Sequence, residues 1–202
     1  MALTIDYYAG LSSPWTYFGH DRLCHLAQQY DANVNFIPVD FNTVFANTGG
    51  LPLPKRAPVR REYRYAELRR WRIELDIPLN LDPKFFPVPH TKPALMCLLL
   101  QQQGGDALSL AGAYMKAVWA EEKDITDDAT VIAIADDLGL SGDQLFAESQ
   151  EGKIPALYDD LTGQAIKRGV FGAPSYVIED EIFWGQDRLM FVEKKLKEAQ
   201  EK

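Results

Sequence analysis

Ser13 and Pro14 fall in the run Gly-Leu-Ser-Ser-Pro-Trp-Thr (residues 10–16), where an alternating stretch gives way to a helical one. A thiol–disulfide centre places Cys-x-x-Cys at such a turn, with its first sulfur on the helix N-terminus. Here the four positions read Ser13-Pro14-Trp15-Thr16, so the chain brings hydroxyls and no sulfur. A helix N-terminus offers unpaired N–H groups and about half a positive charge. A serine hydroxyl placed there can donate a hydrogen bond to a thiol delivered by a ligand, and both effects favour the thiolate. A free thiol titrates near ~8.5, and lowering that by one unit takes only ~1.4 kcal/mol, within reach of one charge-assisted bond. The same residues also make an ordinary cap, since Ser at the N-cap and Pro at the first helical position are a common pair. Ser12 shapes the turn before the cap, and Thr16 fills the first helical turn.

Other candidates carry weaker signals. Cys24 and Cys97 are far apart, each in an apolar helical stretch, which fits reduced structural residues. No Cys/His cluster has metal-ligand spacing; His20 and His25 lie five apart and miss the i, i+4 spacing of a helical metal pair. Arginines cluster between Arg56 and Arg72 in a chain of net charge −8. That balance disfavours a nucleic-acid partner but leaves a local cationic patch for a small anion. Lys55, Arg56, Arg60 and Arg61 form its leading edge, or simply a solvated basic face. Trp15, Phe45, Phe85 and Phe86 suit either the wall of an aromatic pocket or the core.

The elements that must position these residues follow from periodicity. The 202 residues, 47% hydrophobic and 25% charged, suffice for one compact domain, or one with a large insertion. Leu3–Tyr8 alternates like a strand. Leu23, Leu26, Ala27 and Tyr30 fall at i, i+3, i+4, i+7, the stripe of an amphipathic helix, and Val34–Val39 resumes a strand. This β-α-β order predicts parallel pairing. Residues 47–54 are rich in turn formers, and helical spacing then runs from Arg60 to about Leu75 with Tyr63, Leu68, Trp71 and Leu75 near one face. After an irregular segment marked by five prolines, helices are predicted over 94–103, 108–120, 126–138, from 141, and over 154–169. Strand character returns at Pro174–Ile178 and Ile182–Trp184 around a Glu179-Asp180 turn, followed by a helix from Arg188 to about Ala199. No apolar run is long enough to span a bilayer and no leader pattern opens the chain, so a cytoplasmic location is expected.

The strand, the Ser-Pro loop, the helical insertion, Phe171-Gly172-Ala173-Pro174 and Trp184-Gly185-Gln186-Asp187-Arg188-Leu189 together resemble the 2-hydroxychromene-2-carboxylate isomerases. These sit with the kappa-class glutathione transferases in the DsbA-like branch of the thioredoxin fold. The likeness extends over nearly the whole chain, including Ala117–Glu121 and Asp124-Ile125. It implies an α/β thioredoxin-like (DsbA/kappa-type) sandwich interrupted by a large all-helical insertion, with residues 1–40 and 170–202 as the thioredoxin-like part and 41–169 as the insertion. It further implies glutathione as cofactor, a small aromatic carboxylate substrate and a homodimer. By the same resemblance Ser13 activates the thiol beside Pro14, Ala173 before a cis Pro174 pairs with the tripeptide backbone, and Asp187 and Arg188 hold its γ-glutamyl end. Both partners would be anions, which extends the cationic-loop expectation to Lys55. Two departures bear on the substrate. Relatives often carry an Asn after the second strand, where this chain has Gly49-Gly50-Leu51-Pro52 with only Asn47 nearby, and another before Ala94, where His90-Thr91 stands. A kappa-like transferase or peroxidase, or a glutathione-binding protein without chemistry, would share these features. Disulfide exchange would not, because Ser13 and Thr16 form no disulfide.

Overall fold

The computed structural model describes residues 3–200. Strand β1 (Thr4–Ala9) leads through the Gly10–Ser13 turn into helix α1 (Pro14–Gln29), and strand β2 (Asn33–Pro38) follows. The two strands pair in parallel, from Thr4↔Asn33 to Ala9↔Pro38, as a helical crossover requires. Phe18, Leu23 and Ala27 bury the inner stripe of α1, and Asp31 ends the turn beyond it with φ 49°. Strand β3 (Ser175–Ile178) pairs antiparallel with β1, and β4 (Glu181–Trp184) pairs antiparallel with β3. The resulting sheet has the order β2-β1-β3-β4 and is closed by a 3₁₀ turn (Gln186–Arg188) and helix α9 (Leu189–Gln200). All four residues of β3 are buried, Ser175 with its hydroxyl donating to Gly172 C=O at 2.7 Å, which explains why the strand shows no apolar–polar alternation.

Between β2 and β3 the described residues form helices α2 (Phe41–Thr48), α3 (Pro58–Glu74), α4 (Thr91–Gln102), α5 (Ala107–Trp119), α6 (Asp128–Asp137), α7 (Gly142–Ser149) and α8 (Lys153–Lys167). This is the α/β sandwich with a helical insertion that the sequence implies. Helix α2 is the element that turn-former composition hides. Its signal is local: Asp40 caps it, accepting from Asn42 N–H at 2.9 Å and Thr43 O–H at 2.6 Å, and Gly49 ends it at φ 80°. Helix α3 turns Leu68 and Trp71 inward with the following Leu75, as its spacing predicts, but Tyr63 points to solvent and Arg64 takes the inner face. Helix α4 begins at Thr91, before Ala94, with Pro93 accommodated in its first turn.

The main core spans the sheet and the insertion. Tyr7 stacks on Tyr176 with ring centroids 5.5 Å apart and meets Phe36 edge-on at 5.6 Å. On the other side lie α1 and α5, whose fully buried Tyr114, Met115 and Trp119 join the same cluster. Gly19 lets α1 approach: a Cβ there would collide with the Tyr176 hydroxyl and sit 3.1 Å from Gln186 Cβ. Gly19→Ala should therefore cost ~1–3 kcal/mol in urea unfolding, through overpacking. Gly163, in α8 with open space around it, should gain ~0.5–1 kcal/mol as Ala from lower chain entropy. A Gly19→Ala protein as stable as wild type would contradict this packing.

Candidate active site

Strand register brings three distant segments to one edge of the sheet. Strand β1 ends there at Ala9, β3 begins opposite Tyr8, and β4 finishes with Trp184 opposite Ser175. The Gly10–Ser13 turn, the Ala173–Pro174 loop and the Gly185–Arg188 turn are consequently neighbours. Pro174 C=O accepts from Gly185 N–H at 2.9 Å, and a Cβ built on Gly10 would lie 3.8 Å from Ala173 Cβ.

Ser13 is the N-cap of α1. Its N–H donates to Gly10 C=O at 2.9 Å, its carbonyl accepts from Tyr17 N–H at 3.0 Å, and its Oγ accepts from Thr16 N–H at 3.3 Å. Capping uses only the oxygen lone pair, so the Ser13 O–H remains available as a donor. Pro14 has no N–H, and Thr16 and Tyr17 are satisfied by Ser13. That leaves Trp15 N–H as the donor without a partner among the described residues. The first turn carries no acidic side chain to compete for an anion. Hydroxyl, N–H and helix dipole all lie at the mouth of α1, an arrangement that favours an anion such as a thiolate.

The Ala173–Pro174 peptide bond is cis, and β-pairing starts only at Ser175. Ala173 N–H and C=O make no backbone hydrogen bond among the described residues, so both can pair with an extended peptide-like ligand. Trp184 closes the far side, its ring 4.8 Å from Phe171 and its indole packed where a Gly172 Cβ would stand. Asp187 and Arg188, both half exposed, form an ion pair with each other at 2.7 Å. Asp187 makes no capping bond, so a zwitterionic ligand end has only this exposed pair to replace. Such exposed pairs are worth no more than ~1 kcal/mol. Lys55 lies exposed on the 3₁₀ turn Leu53–Lys55 and makes no ion pair among the described residues. Asn47 is exposed, and its side-chain amide donates to Thr43 C=O at 2.9 Å. Trp15, Phe45, Phe85 and Phe86 are each half-buried.

Two links were invisible in the sequence. Ser12 Oγ lies 3.1 Å from His90 Nδ1, and His90 Nε2 lies 3.3 Å from Val39 C=O. A carbonyl only accepts, so Nε2 carries the proton, Nδ1 accepts, and Ser12 donates. His90 thereby bolts the start of α4 to the active loop and to the end of β2. His20 repeats the device on the other side of the core: Tyr7 O–H reaches its Nδ1 at 3.3 Å, and its Nε2 meets Leu108 C=O at 3.0 Å, tying α1 to α5. Burial holds both imidazoles below their usual pKa. Burial also drives the thiols up, Cys24 to about 11 and Cys97 further, so neither is a nucleophile at neutral pH.

The DSBA-like thioredoxin domain family matches residues 4–197 of the chain. A 2-hydroxychromene-2-carboxylate isomerase from Sphingobium xenophagum is 32% identical over 197 residues, spanning 96% of this chain and 97% of that protein. The chain belongs to the DsbA-like thioredoxin family, with the 2-hydroxychromene-2-carboxylate isomerases. This DsbA-like chain is also 23% identical to human glutathione S-transferase kappa 1, across 92% of its own length and 87% of the relative's. In fold it matches a solved 2-hydroxychromene-2-carboxylate isomerase with a TM-score of 0.82, covering 98% of this chain and 96% of that one, at 24% identity. Among its described residues no helix is long and apolar enough to cross a membrane.

The two imidazoles, His20 buried and His90 half-buried, give this DsbA-like protein a predictable acid response. Unfolded histidines bind a proton near 6.5, whereas the folded rings resist it, so acid favours unfolding. Their contribution is whole above about 6.5 and is lost as pH falls from there to the folded values, at up to ~1.4 kcal/mol per pH unit for each ring. His90→Gln should lower stability at pH 7 by ~1–2 kcal/mol and flatten that slope in urea melts between pH 7 and 5. An unchanged slope would mean that His90 is not buried neutral.

Proposed function

We propose that the protein is a glutathione-dependent isomerase interconverting 2-hydroxychromene-2-carboxylate and trans-o-hydroxybenzylidenepyruvate in the cytoplasm. The observation that carries this reading is the mouth of α1, where the Ser13 O–H and the Trp15 N–H donate to no partner among the described residues and the turn that holds them packs through Gly10 on Ala173. These residues fit a tripeptide thiol. When bound, glutathione supplies a thiolate that adds reversibly to the conjugated carbon of the substrate, so that a bond can rotate before sulfur leaves.

The work of the protein's own residues follows from the geometry. Ser13 donates to the sulfur and, with the dipole of α1, holds it as the anion at neutral pH. Pro14 sets the first helical turn without adding a donor that would need a partner. Ala173 N–H and C=O align the extended tripeptide beside Ser13, and cis Pro174 holds that loop against Gly185. Asp187 meets the ammonium of the γ-glutamyl end and Arg188 its carboxylate, each exchanging its present partner for an equivalent charge. Lys55 serves at most as a cation on the approach to the site.

The kinship with human glutathione S-transferase kappa 1 favours a second reading, a transferase that consumes glutathione where an isomerase returns it. A glutathione-stimulated absorbance change on 2-hydroxychromene-2-carboxylate, without net loss of glutathione, is the expected result. Conjugation of a chlorinated nitrobenzene in its place would mark the transferase. Ser13→Ala should lower turnover ~10- to 1000-fold, while the lost helix cap costs only ~0.5–2 kcal/mol in urea unfolding and leaves the fold intact. Equal turnover without glutathione, or an unaffected Ser13→Ala enzyme, would overturn the proposal.

A further inference from the structure

Arg64, on the inner face of α3, is 7% exposed, yet it forms no ion pair or side-chain hydrogen bond among the described residues. Its guanidinium lies instead among rings, 5.2 Å from the centroid of Phe86, 5.8 Å from Trp119 and 5.9 Å from Tyr65. Phe86 and Trp119 themselves meet at 4.7 Å. Cation–π contact stabilises such a charge only in part, and a buried guanidinium ordinarily finds a carboxylate. Within the same cluster Trp119 Nε1–H is fully buried, and both it and Arg64 Nη2 lack any acceptor. Asp82, whose charge acts on Arg64 through space, is already engaged by the Tyr65 hydroxyl at 2.5 Å. Burial and the like charge of Arg56 weaken the hold of Arg64 on its proton, pulling it down to about 10, as fits a cation short of a counter-ion.

Two unsatisfied donors of this kind, one of them cationic, define what would complete them: an anion with two acceptor oxygens, attached to a flat apolar body that can lie against Phe86. We infer that Arg64 and Trp119 form a carboxylate-binding site for an aryl-alkenyl acid. Helix α3 packs on α1, whose first turn carries Ser13, and α5, which ends at Trp119, packs along α1 as well. The Tyr17 hydroxyl, four residues beyond Ser13, donates to Pro78 C=O at 3.0 Å, and Asn80 N–H donates to Trp119 C=O at 2.7 Å, so residues 78–80 join the site to the helix that carries the proposed thiol centre. The inference deepens the isomerase reading and rests on it for the identity of the physiological acid. Under that reading Arg64 is the residue that fixes the substrate carboxylate and selects acids over neutral enones.

The test is a titration of ¹⁵N-labelled protein with trans-cinnamate, and with cinnamamide as the uncharged control. The reporter is the Trp119 indole N–H resonance, assigned through its Overhauser contacts to the Phe86 ring. Cinnamate should move that resonance downfield and cinnamamide should not. Arg64→Leu should weaken cinnamate binding at least about tenfold, and should raise KM for 2-hydroxychromene-2-carboxylate with little change in the affinity for glutathione. Should Arg64→Leu fail to fold, Arg64→Lys, which keeps the charge and loses the fork, should show an intermediate affinity, and the wild-type titration stands by itself. A still Trp119 resonance, or equal response to acid and amide, overturns the site. Cinnamate binding of the expected kind in a protein without glutathione-dependent isomerisation keeps the site and removes the isomerase. Isomerisation with an unmoved Arg64→Leu KM keeps the isomerase and removes the site.

Discussion

The mouth of α1 is fixed by strand direction before any side chain is chosen. A parallel β1-α1-β2 unit must open its helix at the edge where both strands end. Antiparallel β3 must then begin at that edge, and antiparallel β4 must finish there. Segments 10–13, 173–174 and 185–188 meet because the hydrogen-bond ladder gives them nowhere else to go. Chemistry enters only at the last step, with Ser13 as a cap that spends its lone pair on Thr16 and keeps its proton for a ligand. Capping and thiol activation are thus two uses of one hydroxyl and do not exclude each other.

Holding that edge rigid is the task of the insertion. The neutral rings of His20 and His90 each accept from a hydroxyl of the β1–α1 unit, Tyr7 or Ser12. Each also donates to a carbonyl, His20 to the start of α5 and His90 to the end of β2. A buried imidazole with both nitrogens satisfied is directional in a way that apolar packing is not. The long helical excursion is pinned to the active loop by these bonds and by the Tyr7, Tyr176 and Trp119 packing around them.

What the sequence disclosed, and what it withheld, divides along the range of the interactions. Elements with local signals were legible: the alternation of β1, the i, i+3, i+4, i+7 stripe of α1, the helix predicted over 126–138 and the Glu179-Asp180 turn. The residues named for the thiol centre came with the Ser-Pro turn and the family resemblance, and the fold packs the Gly10 end of that turn against Ala173. Helix α2 escaped because its eight residues lead straight into a Gly/Pro-rich loop that dominates the local composition. Ser12 and His90 stand 78 residues apart, so no window of sequence joins them. Arg64 hid in a run of arginines in which Arg60, Arg61, Arg69 and Arg70 face solvent, and only packing of Phe86 and Trp119 around it sets it apart.

The measurement that bears most directly on this account is a pH titration of the ultraviolet thiolate absorbance of glutathione bound to wild-type protein and to Ser13→Ala. The account predicts a bound thiol that titrates at least about one unit below the free tripeptide, and a return toward the free value when the hydroxyl is removed. A bound thiol that titrates like the free one, or a depression that survives in Ser13→Ala, would contradict it.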